Sequence, residues 1–364
     1  MFPHSAPANR EIVYFPYWRF KGMLFACNPQ GVNHKFIDVS QQAIESNFFP
    51  LSVGLRSQAL KLKFVTPEAE GRFLKPAQSL DSVIQTFEHR FSKTLAKPIL
   101  HQTHIGETAS LLYSPTYLGD KVMDAVLNQP VSARLPNDFD IEKFPGKSPE
   151  SPIKFISTLC PNCGWDLDGE RDTLVLLCKN CSTGWYAAGK SLKKIKFGLH
   201  PIDGEDVLYL PFWRIKADSA GVHLATYADL IKVANLPRVA TQTTRDMQFR
   251  FWVPAFKVRP RVFLQLSTHM TLSQPQKELI TELPKMQYQP ITMPVTEAVE
   301  SLTINLSSFV KPRTKLPEII PEIKIDAKSF VLVYVPFKEG HHEFIQPDLQ
   351  IAINKNILTL SANL

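Results

Sequence analysis

Apolar residues stand at both odd and even positions in several short, proline-containing segments of the chain. Two of these segments, residues 13–21 (VYFPYWRFK) and residues 208–216 (LYLPFWRIK), share Tyr, Pro, Trp, Arg and Lys in one frame. Alternate residues of a strand point to the same face, so the Tyr, Pro and Trp of each segment would share one face. The intervening positions are also apolar, and this pattern predicts strands that are buried on both faces.

A shortened form of the pattern, in which an aromatic residue, a proline and a second aromatic residue alternate, recurs along the chain. Its copies are Tyr14-Pro16-Trp18, Tyr113-Pro115-Tyr117, Tyr209-Pro211-Trp213 and Trp252-Pro254-Phe256, with a weaker form at Tyr334-Pro336. Because proline cannot donate to a β ladder, we expect each copy at a sheet edge, a strand start or a bulge.

Two interpretations of this repeat are open. The rings could form a platform for bases or a peptide, and in that case we expect the copy at residues 209–216 to be the functional one. We favour a structural repeat, because burial explains aromatic residues on both faces of a strand more simply than a ligand does. That interpretation predicts a duplicated subdomain, with similar β units at residues 10–30, 205–225 and 328–355.

Helical periodicity is confined to shorter stretches. Apolar residues recur at helix spacing over residues 79–91 (SLDSVIQTFEHRF), where Ser79 is placed to cap the first turn. Residues 120–127 (DKVMDAVL) form a second, shorter candidate, and Pro260 is placed to open a third helix through residue 270. Residues 338–340 predict a hairpin turn between two C-terminal strands.

These elements predict an α+β fold built from repeated antiparallel β units with a few helices and an embedded four-cysteine ribbon. Proline-rich segments mark the boundaries between its parts. The predicted parts are an N-terminal α+β domain (residues 1–128), a linker (129–155), the ribbon (156–187), a second α+β domain (188–310), a connector (311–327) and a C-terminal β unit (328–364).

Composition and charge restrict the class of protein only loosely. The chain of 364 residues is 44% hydrophobic and 21% charged, which is ordinary for a globular protein with a buried core. Its formal charge of +7 permits an anionic partner but does not require one. We find no signal peptide and no transmembrane segment in the pattern, and we expect a cytoplasmic protein.

The strongest chemical signal is a group of four cysteines. Cys160 and Cys163 form one C-x2-C pair, and Cys178 and Cys181 form a second pair, with fourteen residues between the pairs. This spacing is typical of a four-cysteine zinc site, because two tight turns joined by a hairpin can direct four sulfurs at one ion. Iron in the same ligand set is the second choice. Disulfides would need an oxidising compartment, for which the sequence gives no indication.

In these residues the chain resembles the zinc-ribbon family, over roughly 30 of its 364 residues. The resemblance implies a three-stranded module, organised by metal, that contacts proteins or nucleic acid. All four ligand positions of the family pattern are present. With four cysteine ligands no coordination position stays open, so we expect one structural zinc ion per chain and not a catalytic one. Trp165 and Trp185, one after each pair, are expected to cover the metal on either side.

A cluster of lysines follows the cysteines. It comprises Lys179, Lys190, Lys193, Lys194 and Lys196. The cluster could contact an anion or nucleic acid beside the ribbon. It could also balance the net charge of −2 that four thiolates and one divalent ion carry. We favour the second interpretation, because nucleic-acid-binding domains are usually more basic than this chain.

Three functional hypotheses follow. The first is a non-enzymatic scaffold or adaptor that docks a protein partner or a larger assembly through the ribbon and the β units. The second is a nucleic-acid-binding protein that uses the ribbon and the adjacent lysines. The third is an enzyme whose site is assembled from residues distant in sequence. Because the chain contains no nucleophile elbow, phosphate-binding loop, dinucleotide fingerprint or paired-carboxylate motif, we favour the first.

Overall fold

The structure is a computed structural model, in which most of the residues can be described. The described residues are 9–54, 62–65, 69–146, 156–170, 172–189, 191–202, 204, 206–283 and 287–361.

Two compact units can be distinguished by their internal contacts. One comprises Met1–Gly22, Ile37–Thr94 and Glu107–Ile153, and the other comprises Met23–Phe36, Leu95–Gly106 and Lys154–Leu364. These units are defined by contacts in space and are not continuous in sequence. The six consecutive parts proposed from the sequence therefore stay a prediction.

The first large sheet is formed by the N-terminal third of the chain. Its strands follow the order β2-β1-β4-β5-β6, and β3 pairs with β1 in parallel. Their bounds are β1 (Ile12–Asn28), β2 (Gly31–Gln42), β3 (Arg72–Phe73), β4 (His101–Leu118), β5 (Lys121–Asp124) and β6 (Gln129–Arg134). Helix α1 (Leu80–Ser92) lies between β3 and β4 in sequence, and a 3-10 turn (Ile141–Lys143) follows β6.

A small antiparallel sheet follows, with the order β7-β8-β9. Its strands are β7 (Val175–Cys178), β8 (Thr183–Ala188) and β9 (Ser191–Ile195).

The second large sheet has the order β12-β11-β14-β15-β16, with β13 parallel to β11 and β10 parallel to β14. Its strands are β10 (Phe197–Leu199), β11 (Val207–Ala220), β12 (Phe251–Pro254), β13 (Gln287–Tyr288), β14 (Lys324–Glu339), β15 (Glu343–Gln346) and β16 (Ile351–Asn354). The accompanying helices are α2 (Tyr227–Val233), α3 (Gln242–Asp246), α4 (Pro260–Ser273), α5 (Val295–Glu300), α6 (Leu302–Phe309), α7 (Leu316–Ile319) and α8 (Lys355–Ser361), with a 3-10 turn at Arg313–Lys315.

The predicted α+β class is wrong, because the fold is mostly antiparallel β. Strands account for 40% of the described residues and helices for 21%, and the two large sheets are curled into half-barrels. Residues 120–127, which were predicted as a helix, instead form β5 and the turn after it. The Asp124 carboxylate accepts from the backbone N–H of Val126 and Leu127 and so closes that turn. A short apolar pattern of this length does not distinguish a helix from a strand.

Other local predictions are confirmed. Helix α1 begins after Ser79, whose hydroxyl accepts from the Ser82 N–H, and it buries Val83 and Phe87. Pro260 opens α4 at the first helical position, where its missing N–H would have no partner in any case. The C-terminal hairpin turns after Glu339, where β14 and β15 pair in antiparallel fashion.

The two large sheets make the same backbone contacts around their tyrosine–proline strands. In the first sheet, the carbonyl oxygens of Tyr14 and Pro16 accept from Leu74 and Ala43, at 3.1 and 2.9 Å. In the second sheet, those of Tyr209 and Pro211 accept from Gln289 and Ala255, both at 2.9 Å. The first contact of each pair continues the parallel strand, and the second lies just past the neighbouring strand.

The aromatic contacts match as well. Tyr14 stacks on Phe73 with ring centroids 4.1 Å apart, and Phe73 meets Tyr113 edge to face. Tyr209 stacks on Tyr288 at 5.5 Å, and Tyr288 meets Tyr334 edge to face.

The two tryptophans complete the correspondence. Trp18 Nε1 donates to the Gln78 carbonyl and Trp213 Nε1 donates to the Met293 carbonyl, both at 2.9 Å. Each of these carbonyls belongs to the short segment that joins a parallel strand to the following helix. The indoles therefore fix the start of α1 in one sheet and of α5 in the other.

Pro254 ends β12, an edge strand of the second sheet, as expected, whereas Pro211 is not at an edge, a strand start or a bulge. Pro211 lies inside β11, which pairs with β14 on one side and with β12 and β13 on the other. The N–H and C=O of one strand residue point to the same neighbouring strand. The Pro211 carbonyl points to the side of β12 and β13, so the position where an N–H is lacking lies opposite the ends of these two strands. A central strand thus accommodates proline at a junction between two short partners.

Within the described part of the chain, none of the helices combines the length and the apolar character needed to traverse a bilayer.

The Trp213 anchor leads to a stability prediction. Trp213 is 2% exposed, and Trp213→Phe removes the donor to Met293 together with part of a buried ring. We expect the free energy of unfolding to fall by about 2–3 kcal/mol, measured by urea denaturation. Trp165→Phe, at a side chain that is 61% exposed, is the matched control and should change it by less than about 0.5 kcal/mol. Equal effects of the two variants would contradict the anchoring role.

Candidate metal centre

The first cysteine pair lies on a tight turn that is closed by backbone hydrogen bonds. Gly164 N–H donates to the Cys160 carbonyl at 2.8 Å, and Cys160 N–H donates to the Trp165 carbonyl at 2.7 Å. Gly164 adopts a φ of +74°, and no atom would crowd a side chain there. Backbone conformation, and not lack of space, therefore favours glycine at this position.

The second pair lies at the turn between β7 and β8. Cys178 ends β7 and Cys181 lies in the turn, and Cys178 is paired in register with Thr183 of β8. Ser182, which follows Cys181, has a φ of +49° and repeats the left-handed conformation of Gly164 after Cys163. Both pairs thus have the same turn geometry, which brings each pair of sulfurs together.

The four sulfurs converge on one point. All four Sγ atoms lie within 4.8 Å of one another, and the residues are free thiols. The Sγ atoms of Cys160 and Cys181 are 3.6 Å apart, and those of Cys163 and Cys178 are 3.5 Å apart. A tetrahedral ion with metal–sulfur bonds of about 2.3 Å has sulfur–sulfur edges of about 3.8 Å. The cluster can therefore hold a metal ion, and a set of four thiolates suits zinc or iron.

Thr183 lies between the ligands, and the sequence analysis did not identify it. Its Oγ1 is 3.1 Å from Cys181 Sγ and 3.6 Å from Cys160 Sγ, and it accepts from Trp185 Nε1 at 2.9 Å. An indole nitrogen only donates, so the threonine hydrogen is left to point at a sulfur. In the sequence, Thr183 could have been recognised as a hydroxyl residue two positions after the last cysteine and two positions before a tryptophan.

Hydrogen bonds and burial set the protonation of the thiols in opposite directions. Burial of Cys160 is outweighed by hydrogen bonds from Thr183 and from the backbone of Asn162 and Cys163, which lower its pKa to about 6. Burial raises the pKa of Cys178 to about 12. A divalent ion binds the thiolate form of all four residues, so its binding must release protons.

The two tryptophans behave differently from the prediction. Trp185 is buried and packs in a small apolar cluster with Cys160, Leu167 and Cys178. Trp165 is 61% exposed, so only one of the two rings contributes to the interior of the ribbon.

The four lysines of the predicted cluster that the structure describes do not share one face. Lys179 is paired with the Asp168 carboxylate. On β9, Lys193 is opposite Tyr186 and Lys194 is opposite Trp185, so their side chains leave opposite faces of the sheet. Lys196 is exposed and follows the end of β9, and Lys190 lies outside the described residues.

A cavity of about 800 Å³ adjoins the ribbon within the same unit. It is lined by ribbon residues such as Asp168, Val175 and Leu177, and by Tyr288 and Tyr334 of the second sheet. Burial raises the pKa of both tyrosines, so the phenols are protonated at neutral pH. The lining lysines, Lys179 and Lys355, are paired with Asp168 and Glu339.

Comparison with known proteins adds no assignment. A scan against protein-family models finds no match, and neither does a search of curated proteins or of solved structures.

The convergence of four sulfurs predicts a metal requirement that one substitution removes. Cys178→Ser replaces a buried ligand with a poor one, and we expect bound metal to fall from about one ion per chain to below about 0.1. Metal analysis of freshly purified protein, together with thiol titration, measures this. Cys27→Ser, at a buried cysteine outside the cluster, is the control and should keep the full content. Wild-type protein without bound zinc or iron would overturn the assignment.

Proposed function

We propose that this protein is a non-enzymatic adaptor whose four-cysteine ribbon, held by one structural zinc ion, docks a protein partner. The exposure of Trp165 beside a closed ligand set is the observation that carries the proposal. Tryptophan is among the residues that contribute most to protein interfaces, and a monomer seldom leaves it so exposed. Four thiolate ligands leave no open position for a substrate or water, which favours a structural role for the ion.

The charge around Trp165 favours a basic partner surface. Asp166 and Glu170 follow it in sequence with exposed side chains, while Asp168 is paired with Lys179, and four thiolates with one divalent ion add a charge of −2. This surface would repel phosphates and attract lysine or arginine side chains. We further propose a reducing compartment such as the cytoplasm, in keeping with five free cysteines.

We interpret the aromatic–proline repeat as structural, and we propose that it records a duplication of one sheet within the chain. The matched hydrogen bonds of Pro16 and Pro211, and the matched indole contacts of Trp18 and Trp213, support this interpretation. Burial of the repeat strand β11 on both faces leaves no free aromatic platform there.

Partner capture tests the adaptor proposal. Trp165→Ala should abolish recovery of a specific protein from native cells, because it removes the exposed ring without touching a metal ligand. The purified partner should bind this variant at least tenfold more weakly in a direct titration. Val239→Ala, at another apolar side chain that is 85% exposed, is the control. Metal content must be equal in all three proteins, and unchanged affinity of the Trp165 variant would refute the docking role.

Nucleic-acid binding is the alternative that the exposed Lys193, Lys194 and Lys196 favour. A protein that neutralises several phosphates loses affinity steeply as salt rises. Titration of single-stranded and double-stranded DNA and RNA at low salt distinguishes the two functions. Absence of binding there eliminates the alternative. Binding that weakens with salt and is lost in a triple lysine-to-glutamate variant would replace the adaptor proposal.

A further inference from the structure

Matched positions in the two large sheets carry different charges. Arg19 lies five residues after Tyr14, and Arg214 lies five residues after Tyr209. Asp38 lies five residues before Ala43, and Arg250 lies five residues before Ala255, the two alanines that donate to the repeat prolines. The second sheet therefore has an arginine at the place where the first sheet has an aspartate.

In the first sheet this place is filled by a salt bridge. Arg19 donates to both oxygens of the Asp38 carboxylate, at 2.8 and 2.7 Å, and both side chains are largely buried. A bidentate pair of this kind satisfies the planar guanidinium and neutralises its charge.

In the second sheet the matched positions carry two arginines, Arg214 and Arg250, whose charges interact. Arg214 is half-buried and lies over the Trp252 ring, with its Cζ 5.8 Å from the ring centroid. Arg250 is on the same face two residues before Trp252, and it donates to the Phe249 carbonyl and the Gln248 side chain. Among the residues that the structure describes, neither arginine forms an ion pair with an acidic side chain.

The electrostatic effect of this arrangement is unfavourable. Burial, and next the charge of Arg250, lower the pKa of Arg214 below its ordinary value. Two like charges that are partly removed from water repel more strongly than they would in solution. A bound anion would relieve this repulsion, as Asp38 neutralises Arg19 in the first sheet.

A buried imidazole provides an independent indication. His200 is 1% exposed, its ring lies 5.9 Å from the Trp252 ring, and its Nε2 has no hydrogen-bond partner among the residues that the structure describes. A buried polar atom without a partner is costly unless a ligand or water satisfies it. Burial and the charges of Arg214 and Lys277 lower the pKa of His200 to about 4, so the ring is neutral. The nearby Asp348 is already paired with Lys277 at 2.5 Å.

We propose that Arg214, Arg250, Trp252 and His200 form a binding site for an oxyanion, namely the phosphate or carboxylate group of a small molecule. The two guanidinium groups hold the anion between them, the indole forms one wall, and the neutral imidazole supplies a further hydrogen bond. This site is separate from the ribbon and does not depend on its proposed docking role.

One substitution can restore in the second sheet the pair that the first sheet has. Arg250→Asp places a carboxylate beside Arg214, so the variant should fold with a midpoint of thermal unfolding equal to or above that of the unliganded wild type. It should bind inorganic phosphate and citrate at least tenfold more weakly, measured by isothermal titration calorimetry at low ionic strength. Arg261→Asp makes the same charge change at an exposed residue of the first turn of α4, and it should bind as the wild type does.

Arg214→Gln gives a second readout that needs no new ion pair, and it should also lose at least tenfold in affinity. Binding of phosphate alone or of citrate alone, when lost in both variants, supports the site and identifies the anion class. Binding of both ions supports an oxyanion site without selectivity between them. A wild type that binds neither at millimolar concentration, or variants that bind as tightly as the wild type, would overturn the proposal.

Discussion

Proline cannot donate a backbone hydrogen bond, and this constraint decides how the strands pair around β11. On the side of β11 that faces β12 and β13, the Tyr209 and Pro211 carbonyls are both satisfied, but Pro211 offers no donor in return. The parallel strand arrives from one direction and the antiparallel strand from the other, and both end opposite the proline. The Ala255 carbonyl then accepts from Thr292 and Met293, so the two departing chains are bonded to each other.

This junction places the aromatic residues. Tyr288 of the parallel strand stacks on Tyr209 and meets Tyr334 edge to face. Trp213 reaches past the same junction to the Met293 carbonyl and fixes the approach to α5. The first sheet contains the equivalent contact, because Trp18 donates to the Gln78 carbonyl ahead of α1. Because the geometry is repeated so closely, a difference in charge between the sheets at one matched position becomes informative.

Features that depend on a few neighbouring residues were predictable. The spacing of Cys160, Cys163, Cys178 and Cys181 predicted a common ligand set, and the capped periodicity of residues 79–91 predicted α1. The strand order was not predictable, since Trp18 and Gln78 are 60 residues apart and Trp213 and Met293 are 80 apart. A repeated Tyr-x-Pro-x-Trp pattern indicated equivalent strands but not their partners. The helix predicted at residues 120–127 was wrong because a turn closed by the Asp124 side chain resembles a short amphipathic helix in sequence.

The ribbon differs from the two large sheets in that a bound metal ion can contribute to its stability. Its own apolar cluster contains Leu167, Trp185 and the buried cysteines Cys160 and Cys178, while Val175, Leu177 and Ile195 of its strands are buried in the core that includes the second large sheet. Metal–sulfur bonds can add to the stability that this burial provides, because binding an ion to such a module is coupled to its folding. A module stabilised in this way does not need every apolar side chain in its interior. Trp165 can then remain on the surface, while Trp185, equivalent in its position after a cysteine pair, is held inside by Thr183. The two tryptophans therefore differ in exposure because Trp185 packs inside the ribbon and Trp165 is not needed there.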